Sequence, residues 1–282
     1  MVKKIHFILP AGGVRGAFQA GFLYGLFTNY KDSFEIARID GTSVGALNGF
    51  AIINHKYDYL KNLWYSLNTI NDLFSNWTES YFLGSLQNYY KGFYNSGMLS
   101  NSKIAGLLKN DFNEWDNYDK NYKDKYSCVC VNLDNAKSEY ILGSNNNIRE
   151  YVKASASPWI VTCPTEIDNI KYTDGALLEA YPLKYINKCN ADLTVIVGYD
   201  QEHLKYKSYK SDDLLNYLAN LIDIARFNSL NTLRLQELIK NTDQNKIISI
   251  ANPMKILIND FNKENIIEGF SEGVEFADTF YN

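Results

Sequence analysis

Ile36-Ala37-Arg38-Ile39-Asp40-Gly41-Thr42-Ser43-Val44-Gly45-Ala46-Leu47-Asn48-Gly49-Phe50-Ala51-Ile52-Ile53 is the stretch that decides the fold. Its first four residues read as a short strand, Asp40 to Ser43 as a turn, and Val44 to Ile53 as an apolar helix. Gly41 to Gly45 fits G-x-S-x-G, where small neighbours let a serine occupy a sharp strand-to-helix turn with its hydroxyl above a sheet. The helix that follows directs its positive end at that hydroxyl. Ser43 is therefore the candidate nucleophile.

Upstream, Ile5 to Leu9 is an apolar run that stops at Pro10-Ala11-Gly12-Gly13, a strand ending in a flexible turn. Gly16 to Thr28 then carries Phe18, Phe22, Leu23 and Leu26 at helical spacing. Strand, glycine loop, helix, strand, turn and helix in this order predict a parallel sheet with crossover helices. Glycines 12 and 13 can bring bare N–H groups to a ligand, and such donors stabilise the oxyanion of a tetrahedral intermediate. A phosphate loop is the competing reading, but neither G-x-x-x-x-G-K-[ST] nor G-x-G-x-x-G is present. Arg15 in the same loop is a candidate either for anchoring it or for meeting an anionic head group.

Downstream, Ser127 to Leu133 and Lys137 to Leu142 read as strands joined at Asp134-Asn135, and Asn147 to Ala154 as a helix. Asn169 to Tyr172 is a short strand before Asp174-Gly175, and Ala191 to Gly198 a buried one. Asp212 to Lys240 predicts an amphipathic helix or helix pair, Lys246 to Ile250 a late strand, and Ile266 to Tyr281 a closing helix. One α/β domain over residues 1–282 is expected, with a motif-bearing core at about 5–200 and a helical C-terminal segment at about 205–282.

A serine nucleophile needs a base within hydrogen-bond reach. Of the three histidines, His6 lies inside the first strand, His55 ends the helix after Ser43, and His203 sits in a charged stretch, so none is well placed. Asp174, at a strand end before glycine, suits a carboxylate projecting into a cleft, although Asp-Gly is also an ordinary turn.

Three motifs in this order resemble the patatin-like phospholipase family. Gly12-Gly13-Val14-Arg15-Gly16 looks like its oxyanion loop, Gly41 to Gly45 like its nucleophile elbow, and Asp174-Gly175-Ala176 like its Asp-Gly-Gly/Ala element. Ala154-Ser155-Ala156-Ser157-Pro158 is similar to the run ahead of that element. Ala11 is a departure, standing where the family usually starts a third glycine. The resemblance implies an α/β fold, a three-layer α/β/α sandwich with a mostly parallel central sheet. It implies Ser43 as nucleophile, Asp174 as its direct base, and the amides of Gly12 and Gly13 as oxyanion donors. The implied reaction is hydrolysis of acyl esters in phospholipids or other lipids, without cofactor or metal.

The net charge of -4 gives no electrostatic case for nucleic acid or for strong attraction to anionic lipid. Peripheral membrane contact is expected from the substrate class, and any activating partner is left open. The first apolar run is too short for a spanning helix and lacks a cleavage site, so a cytoplasmic location with free, structural cysteines is expected. Twelve aromatics fall between Tyr57 and Tyr94, including Trp64, Trp77, Phe82 and Phe93. They suit an acyl pocket or membrane-facing cap, or equally a helical subdomain packed on the sheet. Asn76-Trp77-Thr78 matches a glycosylation sequon that should be idle in that compartment. The rival functions are an esterase with a Ser43, Asp174 and His203 triad, a lipid acyltransferase, and a non-catalytic lipid-binding protein.

Overall fold

In the computed structural model the described residues are 2–74, 100–158, 162–186, 188–199, 229–241, 246–252 and 261–281. His203, Trp77, Phe82, Phe93, the Asn76 sequon and residues 212–228 of the expected long helix lie outside them. In chain order the elements are β1 (Lys3–Leu9), α1 (Gly16–Asn29), β2 (Phe34–Thr42), α2 (Val44–Ile53), α3 (Tyr57–Ser66), α4 (Ser102–Asp111) and the one-turn α5 (Lys120–Lys123). They continue with β3 (Tyr126–Asn132), β4 (Lys137–Leu142), α6 (Ile148–Ser155), β5 (Thr165–Ile167), β6 (Ile170–Asp174), β7 (Leu193–Tyr199), α7 (Leu230–Asn241), β8 (Ile247–Asn252) and α8 (Lys263–Tyr281).

Among the described residues one sheet of eight strands runs β5-β6-β3-β2-β1-β7-β8, with β4 also paired to β3. From β8 through β7, β1 and β2 to β3 the pairing is parallel, and β4, β6 and β5 attach antiparallel. Alternation along the strands feeds two cores. Ile5, Phe7 and Leu9 of β1 with Val195 and Val197 of β7 enter the larger one, alongside Phe18, Phe50, Trp64, Ile104, Val152 and Phe270 from six helices. Ile8 and Ile196 point the other way, to Tyr181, Leu183 and Leu235. A strand buried on both faces cannot show polar alternation, and for this reason these read as plain apolar runs. The three-layer arrangement agrees with the sequence-based expectation.

Gly16 to Phe27 of α1 is almost wholly buried, because α8 covers the side that the sheet does not. The two helices touch backbone to backbone: a Cβ on Gly21 would lie 1.9 Å from the Phe270 carbonyl oxygen, and one on Gly273 would lie 2.2 Å from that of Phe18.

The pairing of β3 positions the site. Its Ser127–Asn132 edge toward β4 is occupied throughout. The opposite edge is therefore shared end to end, with Thr42 of β2 opposite Val129 and Asp174 of β6 opposite Cys130. Since β2 runs parallel to β3 and β6 antiparallel, their C-terminal ends meet. No described helix is long and apolar enough to cross a membrane.

Candidate active site

Ser43 has φ 57° and ψ −128°, a sparsely populated conformation for a residue with a side chain, costing of order 1–3 kcal/mol. Tight packing enforces it. A Cβ on Gly45 would lie 2.0 Å from the Leu9 carbonyl oxygen, and one on Gly41 would lie 2.5 Å from that of Gly45. The first turn of α2 thus rests directly on the end of β1, and both motif glycines are there for contact. Ser43 is the residue before α2, its backbone carbonyl accepting the N–H of Ala46 at 2.9 Å, which places the hydroxyl at the positive end of the helix.

The hydroxyl of Ser43 donates to Asp174 Oδ2 at 2.6 Å across 131 residues of sequence. The serine is 8% exposed and the aspartate 2%. The other carboxylate oxygen, Oδ1, accepts the backbone N–H of Ala176 at 2.8 Å, fixing the carboxylate plane. Gly175 backs against β3, where a Cβ would lie 2.4 Å from the Val129 carbonyl oxygen. The Thr42 hydroxyl donates to the Glu179 carbonyl at 3.1 Å, tying the Asp174 loop to the residue before Ser43. The Glu179 carboxylate accepts the hydroxyls of Ser138 (2.8 Å) and Tyr140 on β4.

Gly12 is buried and Gly13, at φ 55°, takes a left-handed conformation that favours glycine. The loop leaves β1 where Leu9 pairs with Gly41, beside the elbow. The Ala11 N–H donates to Ala180 at 2.9 Å. Behind the loop Trp64 Nε1 donates to Asn48 Oδ1, Asn48 Nδ2 to Gly16 O and Gln19 Oε1 (3.0 Å each), and Gln19 Nε2 to Val197 O at 3.1 Å. These bonds join α2, α3, α1 and β7 behind the site. Arg15 is 1% exposed.

Three residues before Ser43, Asp40 holds a buried cluster. His6 Nε2 donates to Asp40 Oδ2 at 2.7 Å, and Arg38 Nε to both carboxylate oxygens at 2.8 and 2.9 Å. The Ser127 hydroxyl also donates to Asp40, and the Arg38 guanidinium stacks 3.6 Å from the Tyr185 ring centre. Burial alone would lower the His6 pKa. The adjacent Asp40, with Cys189, outweighs it and holds the imidazole above its ordinary 6.5. His55 is remote from Ser43: Nδ1 meets Tyr57 Oη and Nε2 meets Tyr122 Oη, at 2.8 Å each, and burial lowers its pKa.

Ser43 and Asp174 are thus in contact, with the glycine loop alongside. None of the four cysteines is in a disulfide, and Cys128 and Cys130 are buried in the larger core. Asn48, Gln19 and Glu179 enter none of the sequence-based expectations, Ser155 and Ser157 enter only as part of the run ahead of Asp174, and Trp64 only as one of the clustered aromatics. Each is an ordinary polar or aromatic residue whose partner lies on another element, so local spacing carries no signal for it.

No curated protein sequence matches the chain. Among solved structures, the crystal structure of VipD from Legionella pneumophila is similar at 11% identity and a TM-score of 0.44, over 98% of this chain and 66% of that one. The chain therefore spans about two thirds of that protein's length. The family model of the patatin-like phospholipases matches residues 7–186, which include the glycine loop, the elbow and Asp174. The chain belongs to the patatin-like phospholipase family.

Proposed function

We propose that this protein hydrolyses acyl esters of phospholipids or other lipids with Ser43 as nucleophile and Asp174 as its base. The observation that carries the reading is the 2.6 Å bond from the Ser43 hydroxyl to Asp174 Oδ2, at the end of a helix and beside a glycine loop. In this mechanism Ser43 Oγ attacks the ester carbonyl as its proton passes to Asp174. The tetrahedral intermediate collapses to an acyl-serine, and the proton goes on to the departing alcohol. Water, deprotonated by Asp174, then attacks the acyl group, and Ser43 is restored.

A carboxylate beside a developing oxyanion is repulsive, and the amides of Gly12 and Gly13 with the N-terminal end of α2 offset that repulsion. The burial of Arg15 favours a role in holding this loop over a role in meeting a head group. The direct bond from the Ser43 hydroxyl to Asp174 leaves no imidazole between them, which favours the dyad over a triad. The described histidines are engaged elsewhere, His6 with Asp40 and His55 with two tyrosines. Peripheral contact with a membrane surface follows from a lipid substrate.

The test is an assay of wild type, Ser43→Ala, Asp174→Ala and His203→Ala on a short-chain nitrophenyl ester and on phospholipid vesicles, with flotation of the same vesicles. The first two variants should lose about a thousandfold or more in rate while His203→Ala stays near normal. An equal loss in His203→Ala would replace the dyad with a triad. A silent wild type that still floats with vesicles would favour lipid binding without hydrolysis, and an acylated acceptor among the products would favour acyl transfer.

A further inference from the structure

The geometry points to Ser155 as a positioning residue that, with the main chain of Ser157, sets the spacing of nucleophile and base. This inference rests on the Ser43–Asp174 reading above and adds the part that holds the two together. The C-terminal end of α6 passes between the loops that carry them. Ser155 Oγ accepts the backbone N–H of Ser43 at 3.0 Å and donates its own proton to the Val129 carbonyl at 2.7 Å. An amide can only donate and a carbonyl can only accept, so the direction of both bonds is fixed. The hydroxyl relays a bond from the nucleophile's amide to the neighbouring strand, at the point where β2 leaves the sheet and Ser43 takes φ 57°.

Two residues later the Ser157 carbonyl accepts the Asp174 N–H at 3.1 Å and the Thr173 hydroxyl at 3.1 Å. Ser155 and Ser157 are both fully buried. The Ser157 hydroxyl is itself held, donating to Lys153 O at 2.6 Å and accepting from Asn101 Nδ2 at 2.9 Å. The span Ser155-Ala156-Ser157 is therefore a bracket with one end on the amide of the nucleophile and the other on the amide of the base. Val129 is common to both sides, because its carbonyl takes the Ser155 hydroxyl and also backs Gly175.

Removing the Ser155 hydroxyl leaves a strained residue's buried amide without this anchor, and the serine hydroxyl moves relative to Asp174. The experiment compares wild type, Ser155→Ala and Ser155→Thr in the full chain. It reads kcat and KM on a nitrophenyl ester, the rate of Ser43 labelling by a fluorophosphonate, the melting temperature, and hydrogen exchange at the Ser43 amide. In Ser155→Ala, kcat and the labelling rate should fall by about 10- to 100-fold with KM within about twofold. Exchange at the Ser43 amide should rise at least about tenfold, at temperatures where the chain is fully folded. Ser155→Thr, which keeps the hydroxyl, should recover most of the rate and the protection. Unchanged kcat and unchanged Ser43 exchange in Ser155→Ala overturn the inference. So does a loss of kcat that only tracks a fall in melting temperature. A wild type that hydrolyses neither ester nor lipid sinks the functional reading instead, and the exchange measurement still decides on the bracket.

Discussion

Gly45 leaves no room for a side chain, since a Cβ there would sit 2.0 Å from the Leu9 carbonyl oxygen. Gly45→Ala must push the first turn of α2 away from β1 and carry Ser43 with it. We expect a destabilisation of about 1–3 kcal/mol from overpacking, read in urea unfolding. The fluorophosphonate labelling rate should fall about 100-fold in the folded protein, because displacement of the nucleophile by about 1 Å costs that much. Full labelling with normal stability would show that the elbow has slack. At this scale the contact of Ser43 with Asp174 was legible because the proposed chemistry restricts the residue types: a serine among small residues, and an aspartate before glycine. Ser155 was not, since its two partners, Ser43 and Val129, lie 112 and 26 residues away and are both main-chain groups.

The strands and helices that carry Ser43 and Asp174 were legible because their apolar runs are long and their turns carry glycine. α2 and β4 have the expected bounds, and α1 extends one residue further. The elements missed have weak signals. α3 lies within the aromatic-rich stretch that admitted several readings, α4 buries only Ile104 and Leu108, and β5 has three residues. α8 was foreseen as a helix, but its role was not, because the close crossing with α1 depends on glycines in both helices. Gly21→Val should force α8 off α1. We expect a loss of stability of at least about 3 kcal/mol, near the top of the overpacking range because the clash is with backbone, measured by chemical denaturation. A stable Gly21→Val protein would mean that α8 can slide.

Over the whole molecule, the family match ends at residue 186, yet β7 beyond it pairs with β1 and α8 closes over α1. The later segment carries no motif and still completes the core beneath the site. Between β1 and β2 the fold also buries His6, Asp40 and Arg38 together. The His6 pKa in the folded chain stands above 6.5, so the native state holds a proton that the unfolded chain releases earlier as pH rises. The stabilisation is complete below about 6.5 and is lost as pH climbs through the folded value. The melting temperature should fall as pH rises above about 6.5, and His6→Asn should be less stable at about pH 6 with a flatter profile. Parallel profiles for the two proteins would rule out His6 as the titrating group. Nothing in the sequence pairs His6 with Asp40, since the contact exists only once β1 and β2 are in register.

The shared edge of β3 has a further consequence. Positions 129 and 130 act as adjacent marks on a ruler, one strand rise of about 3.3 Å apart, with the strand that leads to Ser43 read off one and the strand that ends at Asp174 off the other. The spacing of the pair is inherited from the pitch of the main chain. Such a site should drift freely in the identity of its β3 side chains, provided size is kept, and tolerate no change in their number: one residue inserted between Val129 and Cys130 would part Ser43 from Asp174 with both still present.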